Sequence, residues 1–245
     1  MLTFDFSEAQ SIFGYNFFLL AALLAVFALY VKEGQRLQFP MTTWLTVMAV
    51  VNVLLVIGSR LGAFSGNDWL AFFSGASLPE HAQKTVLGGL ALGLVGYWVL
   101  QRQFRLPLQA ADVLFLGLPL AAMVGRMGCA VAGCCFGLPT DVPWAVRYGQ
   151  ASSVFQWQAA EGMIGSAATS SLSVHPVQLY LILGNLLIFS VLMFVRSRLK
   201  MPGSLALLSL ALIMGNRFFS EFFRDAITNR GLTGLVFGGL KGAQW

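Results

Sequence analysis

The sequence predicts an all-α membrane protein: a polytopic bundle of about six to seven transmembrane helices, N-terminus outside, with an external segment between spans four and five. Three observations carry this expectation. Hydrophobic residues make up 57% of the 245-residue chain and charged residues only 10%, where a soluble domain carries about a quarter. The apolar residues gather into runs of roughly 20, enough to cross a hydrocarbon core about 30 Å thick as helix. Basic residues fall preferentially on alternate connections between those runs, as they do in membrane proteins.

The first span runs from Ser11 to about Val31. The preceding "MLTFDFSEAQ" has no basic residue and carries Asp5 and Glu8, so this run should remain a helix rather than be cleaved as a signal peptide. The second span covers Met41 to about Gly62, followed by a polar stretch with Asn67, Asp68, Pro79, Glu80 and His81. The third runs from Lys84 to about Leu100 and the fourth from Ala111 to about Gly133. Residues 136–174, rich in Ser, Ala and Gln, form the external, periplasmic-side segment. The fifth span opens at Pro176, which suits a first helical turn because its missing N–H would lack an intrahelical partner there anyway. It ends at "RSRLK", and the sixth runs from Pro202 to about Glu221. No internal repeat stands out, so residues 1–245 are expected to form a single integral membrane domain.

Connections after spans one, three and five hold Lys32 and Arg36, Arg102 and Arg105, then Arg196, Arg198 and Lys200. The opposite connections hold little beyond Arg60, Lys84 and Arg147. The N-terminus and the segment with Trp144 and Trp157 are therefore expected outside. The net charge of +5 then belongs to loops facing the cytoplasm, and no nucleic-acid partner is expected. Three cysteines, Cys129, Cys134 and Cys135, are too few and too clustered for a disulfide framework.

This orientation puts Lys84, Arg126, His175 and the Arg217/Glu221 pair in one layer, the outer leaflet, which points to one site. Arg126 lies about 14 residues into its span, roughly 21 Å along a helix. An arginine at such depth costs a few kcal/mol and is usually paired or functional; a snorkelling residue or a structural ion pair is the ordinary alternative. Arg217, Glu221 and Arg224 form one helical stripe, which alone would read as an interfacial salt bridge. Two guanidiniums converging in one leaflet suit a phosphate, whose oxygens their planar forks bind bidentately. In "HPVQLY", His175 precedes a helix N-terminus, a position that favours anions. Gln178 and Tyr180 could add donors, although a histidine at an exposed helix start is common. Gly88, Gly89 and Gly93 of "KTVLGGLALG" read first as helix-packing residues, and second as a slot for a lipid chain. The cysteines read as small packing residues. Zinc wants four convergent ligands, and adjacent Cys134 and Cys135 rarely point at one ion, so neither a metal nor a cofactor is expected. A thiol pair at the outer face could also form a redox bond.

The order and spacing of "GRMGCAVAGCCFG", "PTDVPWAVRYG", "HPVQLY" and "RFFSEFFR" resemble the prolipoprotein diacylglyceryl transferases over roughly Lys84 to Arg224. The resemblance implies a multi-pass enzyme of the bacterial inner membrane with its active site toward the periplasm. It implies transfer of a diacylglyceryl group from phosphatidylglycerol, or a similar phospholipid, to the cysteine thiol of a lipoprotein precursor, leaving glycerol phosphate and needing no metal. Arg126 and Arg217 match phosphate-side arginines, Glu221 would orient Arg217, and His175 matches the fifth-span motif with Gln178 and Tyr180. Lys84, Gly88, Gly89, Gly125 of the "GR" pair and Trp144 would lie on the substrate side. The chain departs from the family at Leu87, where a histidine is expected, and at Cys129, Cys134 and Leu181, which replace polar or acidic groups. It stops at "GLKGAQW", where the family starts a last transmembrane helix. Two further readings follow: the same fold and donor with another acceptor, or a non-catalytic lipid-binding membrane protein. A transporter is disfavoured, since there is no inverted repeat and charge is not spread through the depth of the bilayer.

Overall fold

The computed structural model describes residues 2–64, 69–70, 73–74 and 85–224. Seven helices are described: α1 (Glu8–Arg36), α2 (Met41–Leu61), α3 (Val86–Gln103), α4 (Gln109–Ala132), α5 (Ser153–Ala160), α6 (Val177–Val195) and α7 (Ser204–Glu221). Two three-residue strands accompany them, β1 (Leu2–Phe4) and β2 (Val146–Tyr148). Each of the six apolar runs read from the sequence coincides with a helix, α1 to α4, α6 and α7. Of these, α1, α2, α4 and α6 are long and apolar enough to cross a membrane. Helices α3 and α7 have 18 residues each, about 27 Å of rise, and carry polar residues at their ends. The protein is a helical membrane protein. Asn67, Asp68, Pro79, Glu80, His81, Lys84 and the "GLKGAQW" tail lie outside the described residues.

Close-range contacts divide the chain into two compact units, residues 30–110 and residues 1–29 with 111–245. In the first, Trp44 is fully buried and its Nε1–H donates to the Tyr30 carbonyl at 2.8 Å. Tyr30 and Phe39 meet the Trp44 ring edge-on, with centroids 5.8 and 5.0 Å away. Helices α2 and α3 pack through glycine. A Cβ on Gly88 would come within 2.5 Å of the Gly58 carbonyl oxygen and 2.6 Å of the Gly62 Cα, and one on Gly89 within 2.8 Å of the Leu55 carbonyl. Small residues let the two backbones touch, which in lipid supplies the packing that hydrophobic burial cannot. Thr85 caps α3 by accepting the Gly88 N–H, and its own N–H donates to the Ser59 carbonyl at 2.8 Å, fixing where α3 starts against α2.

In the second unit Leu29 of α1, Leu116 of α4, Ile188 and Leu192 of α6 and Leu205 of α7 form one apolar cluster. Asp112 in the first turn of α4 accepts the backbone N–H groups of Gly203 and Ala206, both at 2.9 Å. These donors open α7 and have no partner within it, so a charged side chain on a neighbouring helix completes the cap. At the other end of this unit, β1 pairs in parallel with β2, Leu2 opposite Val146 and Phe4 opposite Tyr148. Phe136, Val146, Tyr148, Val154 and Val174 form a small core beneath this ribbon. The extreme N-terminus and the 136–174 segment therefore share one end of the unit. The ribbon and the eight-residue α5 add to the helical class read from the sequence.

Removing the α7 cap tests this account. Asp112→Ala leaves two backbone donors without their charged acceptor, each such hydrogen bond being worth about 1.5–3 kcal/mol. The melting temperature of the detergent-solubilised protein should fall by several degrees, and an unchanged midpoint would refute the capping role.

Candidate functional site

The site begins where α4 stops. Gly133 has φ +61° and its N–H donates to the Ala130 carbonyl at 3.4 Å, while the Cys134 N–H reaches back to the Cys129 carbonyl at 3.2 Å. These two bonds form a Schellman motif, which ends a helix with glycine in the left-handed region and folds the next residue over the last turn. Cys135 is left-handed as well, at φ +57°. The chain then runs between the start of α6 and the end of α7. The Gly137 N–H donates to the His175 carbonyl at 3.1 Å, the His175 N–H to Leu138 at 3.0 Å, and the Leu138 N–H to the Phe223 carbonyl at 2.9 Å. A side chain at residue 137 would not fit, since a Cβ would lie 2.5 Å from the Phe223 oxygen and 2.7 Å from His175 Cβ. Buried Gln178 adds a further tie, its Nε2 donating to the Cys134 carbonyl at 2.7 Å. The ends of α4 and α7 and the start of α6 are thus held together by backbone bonds and one amide.

Two polar groups occupy this junction. In the first, Trp144 Nε1–H donates to the Tyr180 hydroxyl at 2.7 Å, and that oxygen lies 3.1 Å from His175 Nδ1. The Tyr180 hydroxyl accepts from Trp144 and keeps its own proton, which it can donate to Nδ1 in the tautomer that carries the imidazole proton on Nε2. Phe223 closes the group, its ring 5.2 Å from that of His175 and 5.5 Å from that of Tyr180. Burial disfavours the imidazolium and pushes His175 below its ordinary value of 6.5. The second group is cationic. Glu221, almost fully buried, holds Arg217 Nη2 at 3.2 Å and Arg224 Nη1 at 3.8 Å on the same oxygen, Oε2. Arg217 feels repulsion from Arg224 and Arg126 and attraction from Glu221. Among the described residues, two guanidiniums on one carboxylate, with Arg126 acting on Arg217 through space, leave a surplus of positive charge. Among the described residues, nothing lies within 4 Å of where a Cβ on Gly125, beside Arg126, or on Gly215, two residues before Arg217, would stand.

The structure brings together His175, Tyr180 and Trp144 as one set, and Arg126, Arg217 and Glu221 as another, with Gln178 between α4 and α6. Gly88 and Gly89 pack against α2, the role favoured for them as small residues, and belong to the other unit. Leu87 is 71% exposed, whereas Leu181, another departure, is buried at 4%. Sequence reasoning did not single out Gly137, Phe223 or Tyr15; the last shares an electrostatic neighbourhood with Arg126 and the three thiols. Gly137 stood in the "CCFG" run, but its need for no side chain appears only when His175 and Phe223 arrive from distant parts of the chain.

The fold and this junction define a class: a helical membrane protein with a cationic, hydrogen-bonded cluster at the meeting point of three helix ends. The family model described as prolipoprotein diacylglyceryl transferase matches residues 3–245, and the chain belongs to that family. A phosphatidylglycerol–prolipoprotein diacylglyceryl transferase of Roseobacter denitrificans is 36% identical over 57% of this chain and 45% of its own length. One from Rhodococcus jostii is 32% identical over 69% of this chain and 50% of its own length. One from a Wolbachia of Drosophila simulans is 27% identical over 88% of this chain and 78% of its own length. The matches span about half the length of the first two relatives.

Gly137→Ala should force either Phe223 or His175 away, at a cost of about 1–3 kcal/mol for overpacking. A lowered unfolding midpoint is expected in detergent, and a midpoint equal to that of the unaltered protein would contradict the close approach.

Proposed function

We propose that the protein is a phospholipid-dependent transferase that moves a diacylglyceryl group from phosphatidylglycerol to the cysteine thiol of a lipoprotein precursor. The observation that carries this reading is the convergence of Arg217 and Arg224 on the single carboxylate of Glu221, with Arg126 acting on Arg217 through space, beside the His175–Tyr180–Trp144 chain. The surplus positive charge suits a phosphodiester, and Glu221 holds Arg217 in a fixed orientation. In the reaction, the thiol sulfur forms a bond to the terminal glycerol carbon of the diacylglyceryl group. The carbon–oxygen bond to phosphate breaks, and its electron pair leaves with glycerol phosphate. Negative charge grows on the phosphate oxygens, where guanidinium donors stabilise it. The thiol, with an ordinary pKa near 8.5, must lose its proton to attack well. Tyr180 could take that proton as its own passes to His175 Nδ1, with Trp144 donating to the phenol oxygen throughout.

On this reading the protein acts as one integral unit, residues 1–245, in the bacterial inner membrane, with six to seven spans, the N-terminus and residues 136–174 on the periplasmic side, and the site facing that side. Pairing of β1 with β2 supports a shared side for the N-terminus and that segment, and the basic loops support the orientation. Gly125, Gln178 and Trp144 remain on the proposed substrate side. The departures at Leu87 and Leu181 favour keeping a second reading, the same donor with a different acceptor.

Labelled phosphatidylglycerol and a peptide bearing the acceptor cysteine, given to the purified protein, should yield lipidated peptide and glycerol phosphate. Arg126→Ala and Arg217→Ala should each lower turnover by about 10²-fold or more, the usual loss when one charge-stabilising donor is removed. Absence of both products would sink the transferase reading, while glycerol phosphate with no lipidated peptide would favour another acceptor. The pH profile is a second test. His175 must be neutral to accept a proton, and burial, which holds its value below 6.5, favours the neutral imidazole at pH 7. The rate should hold as pH falls to 6.5 and decline only below it, and His175→Gln should abolish that acid limb; an unchanged profile in the variant removes His175 from the proton path.

A further inference from the structure

The three cysteines, every thiol in the chain, are brought together by the way α4 ends. A Schellman motif places the second residue beyond the helix against the fourth residue before the glycine. Here those positions are Cys134 and Cys129, on either side of Gly133. The left-handed backbone of Cys135, at φ +57°, then swings its side chain back rather than away. All three sulfur atoms consequently lie within 4.8 Å of one another. The general expectation that adjacent cysteines diverge assumes extended or helical backbone, and Cys135 has neither.

We propose that Cys129, Cys134 and Cys135 form a three-coordinate thiolate site for a soft univalent cation, copper(I). A metal–thiolate bond of about 2.3 Å in a trigonal plane sets its sulfurs roughly 4 Å apart, a spacing compatible with three sulfurs that all lie within 4.8 Å of one another. Among the described residues, the three-thiol group contains no histidine or carboxylate that would make a tetrahedral zinc set. Thiolates alone select soft cations. The charge balance agrees: one copper(I) on three thiolates carries two negative charges. Arg126 and Arg224 both act electrostatically on the Cys135 thiol, so two guanidiniums oppose that charge. All three cysteines are partly exposed, which leaves an ion a route in. Loading forms three copper–sulfur bonds and releases the thiol protons to solvent. Copper enters as copper(I), so no electron is transferred.

The test uses the full chain in detergent, reduced and kept anaerobic. It is titrated with copper(I) against a chromophoric copper(I) chelator, and the thiols left open to maleimide are counted by intact mass. The expected result is one copper per chain with all three thiols protected together. Cys129→Ser, Cys134→Ser and Cys135→Ser should each weaken binding at least ten-fold. Protection in the unaltered chain decides the matter if a serine variant fails to fold. Thiols that alkylate equally with and without copper(I) would overturn the proposal. So would zinc(II) protecting them as well as copper(I) does, or any single serine variant binding copper as tightly as the unaltered chain.

Discussion

The arrangement depends on two backbone hydrogen bonds made by adjacent residues in opposite directions. Gly137 donates to His175, and Leu138 donates to Phe223. Together they draw the start of α6 and the end of α7 against the segment leaving α4. His175 and Tyr180 stand within a few residues of these bonds on one side, and Glu221 and Arg224 on the other. The bonds are possible because Gly137 has no side chain and because α4 stops at Gly133 rather than running on. Backbone ties of this kind position side chains more firmly than side-chain contacts do, since their geometry is set by the chain itself.

The cationic group depends on a different constraint. Glu221 and Arg224 are both buried, so each needs the other: a lone buried charge costs several kcal/mol, and breaking a buried pair exposes that cost. Arg217 shares the same carboxylate but is the more exposed partner, with a third of its side chain accessible. That division suits two tasks, an inner pair that holds the helix end in shape and an outer, more accessible guanidinium. The hydrogen bond from Trp144 to Tyr180 joins the 136–174 segment to α6 in the same way, so segment, helices and charges form one connected set.

Much of this was legible in the sequence, for physical reasons. Apolar runs near 20 residues long leave few alternatives to a spanning helix, and the six runs match α1 to α4, α6 and α7 within a few residues. Alternating basic loops put Arg126, His175, Arg217 and Glu221 at corresponding helix ends, and within one unit the structure brings those ends together. The β1–β2 ribbon was not legible, because three-residue strands carry no period and their pairing spans more than 140 residues of chain. The glycines of α3 were ambiguous, since small residues suit packing and lipid alike until Gly58 and Gly62 are seen against them. The convergence of the thiols hung on a left-handed cysteine, a conformation no residue type but glycine signals. Even so, a glycine four residues after Cys129 and just before Cys134 is the spacing of a Schellman stop.

The central claim is that the arginines around Glu221 hold a phospholipid by its phosphate. Native mass spectrometry of the protein, released from mixed bilayers of phosphatidylglycerol and uncharged diacylglycerol, measures this directly. Preferential retention of phosphatidylglycerol, lost in Arg217→Ala, is the predicted result. Equal retention of the two lipids by the unaltered protein would contradict it.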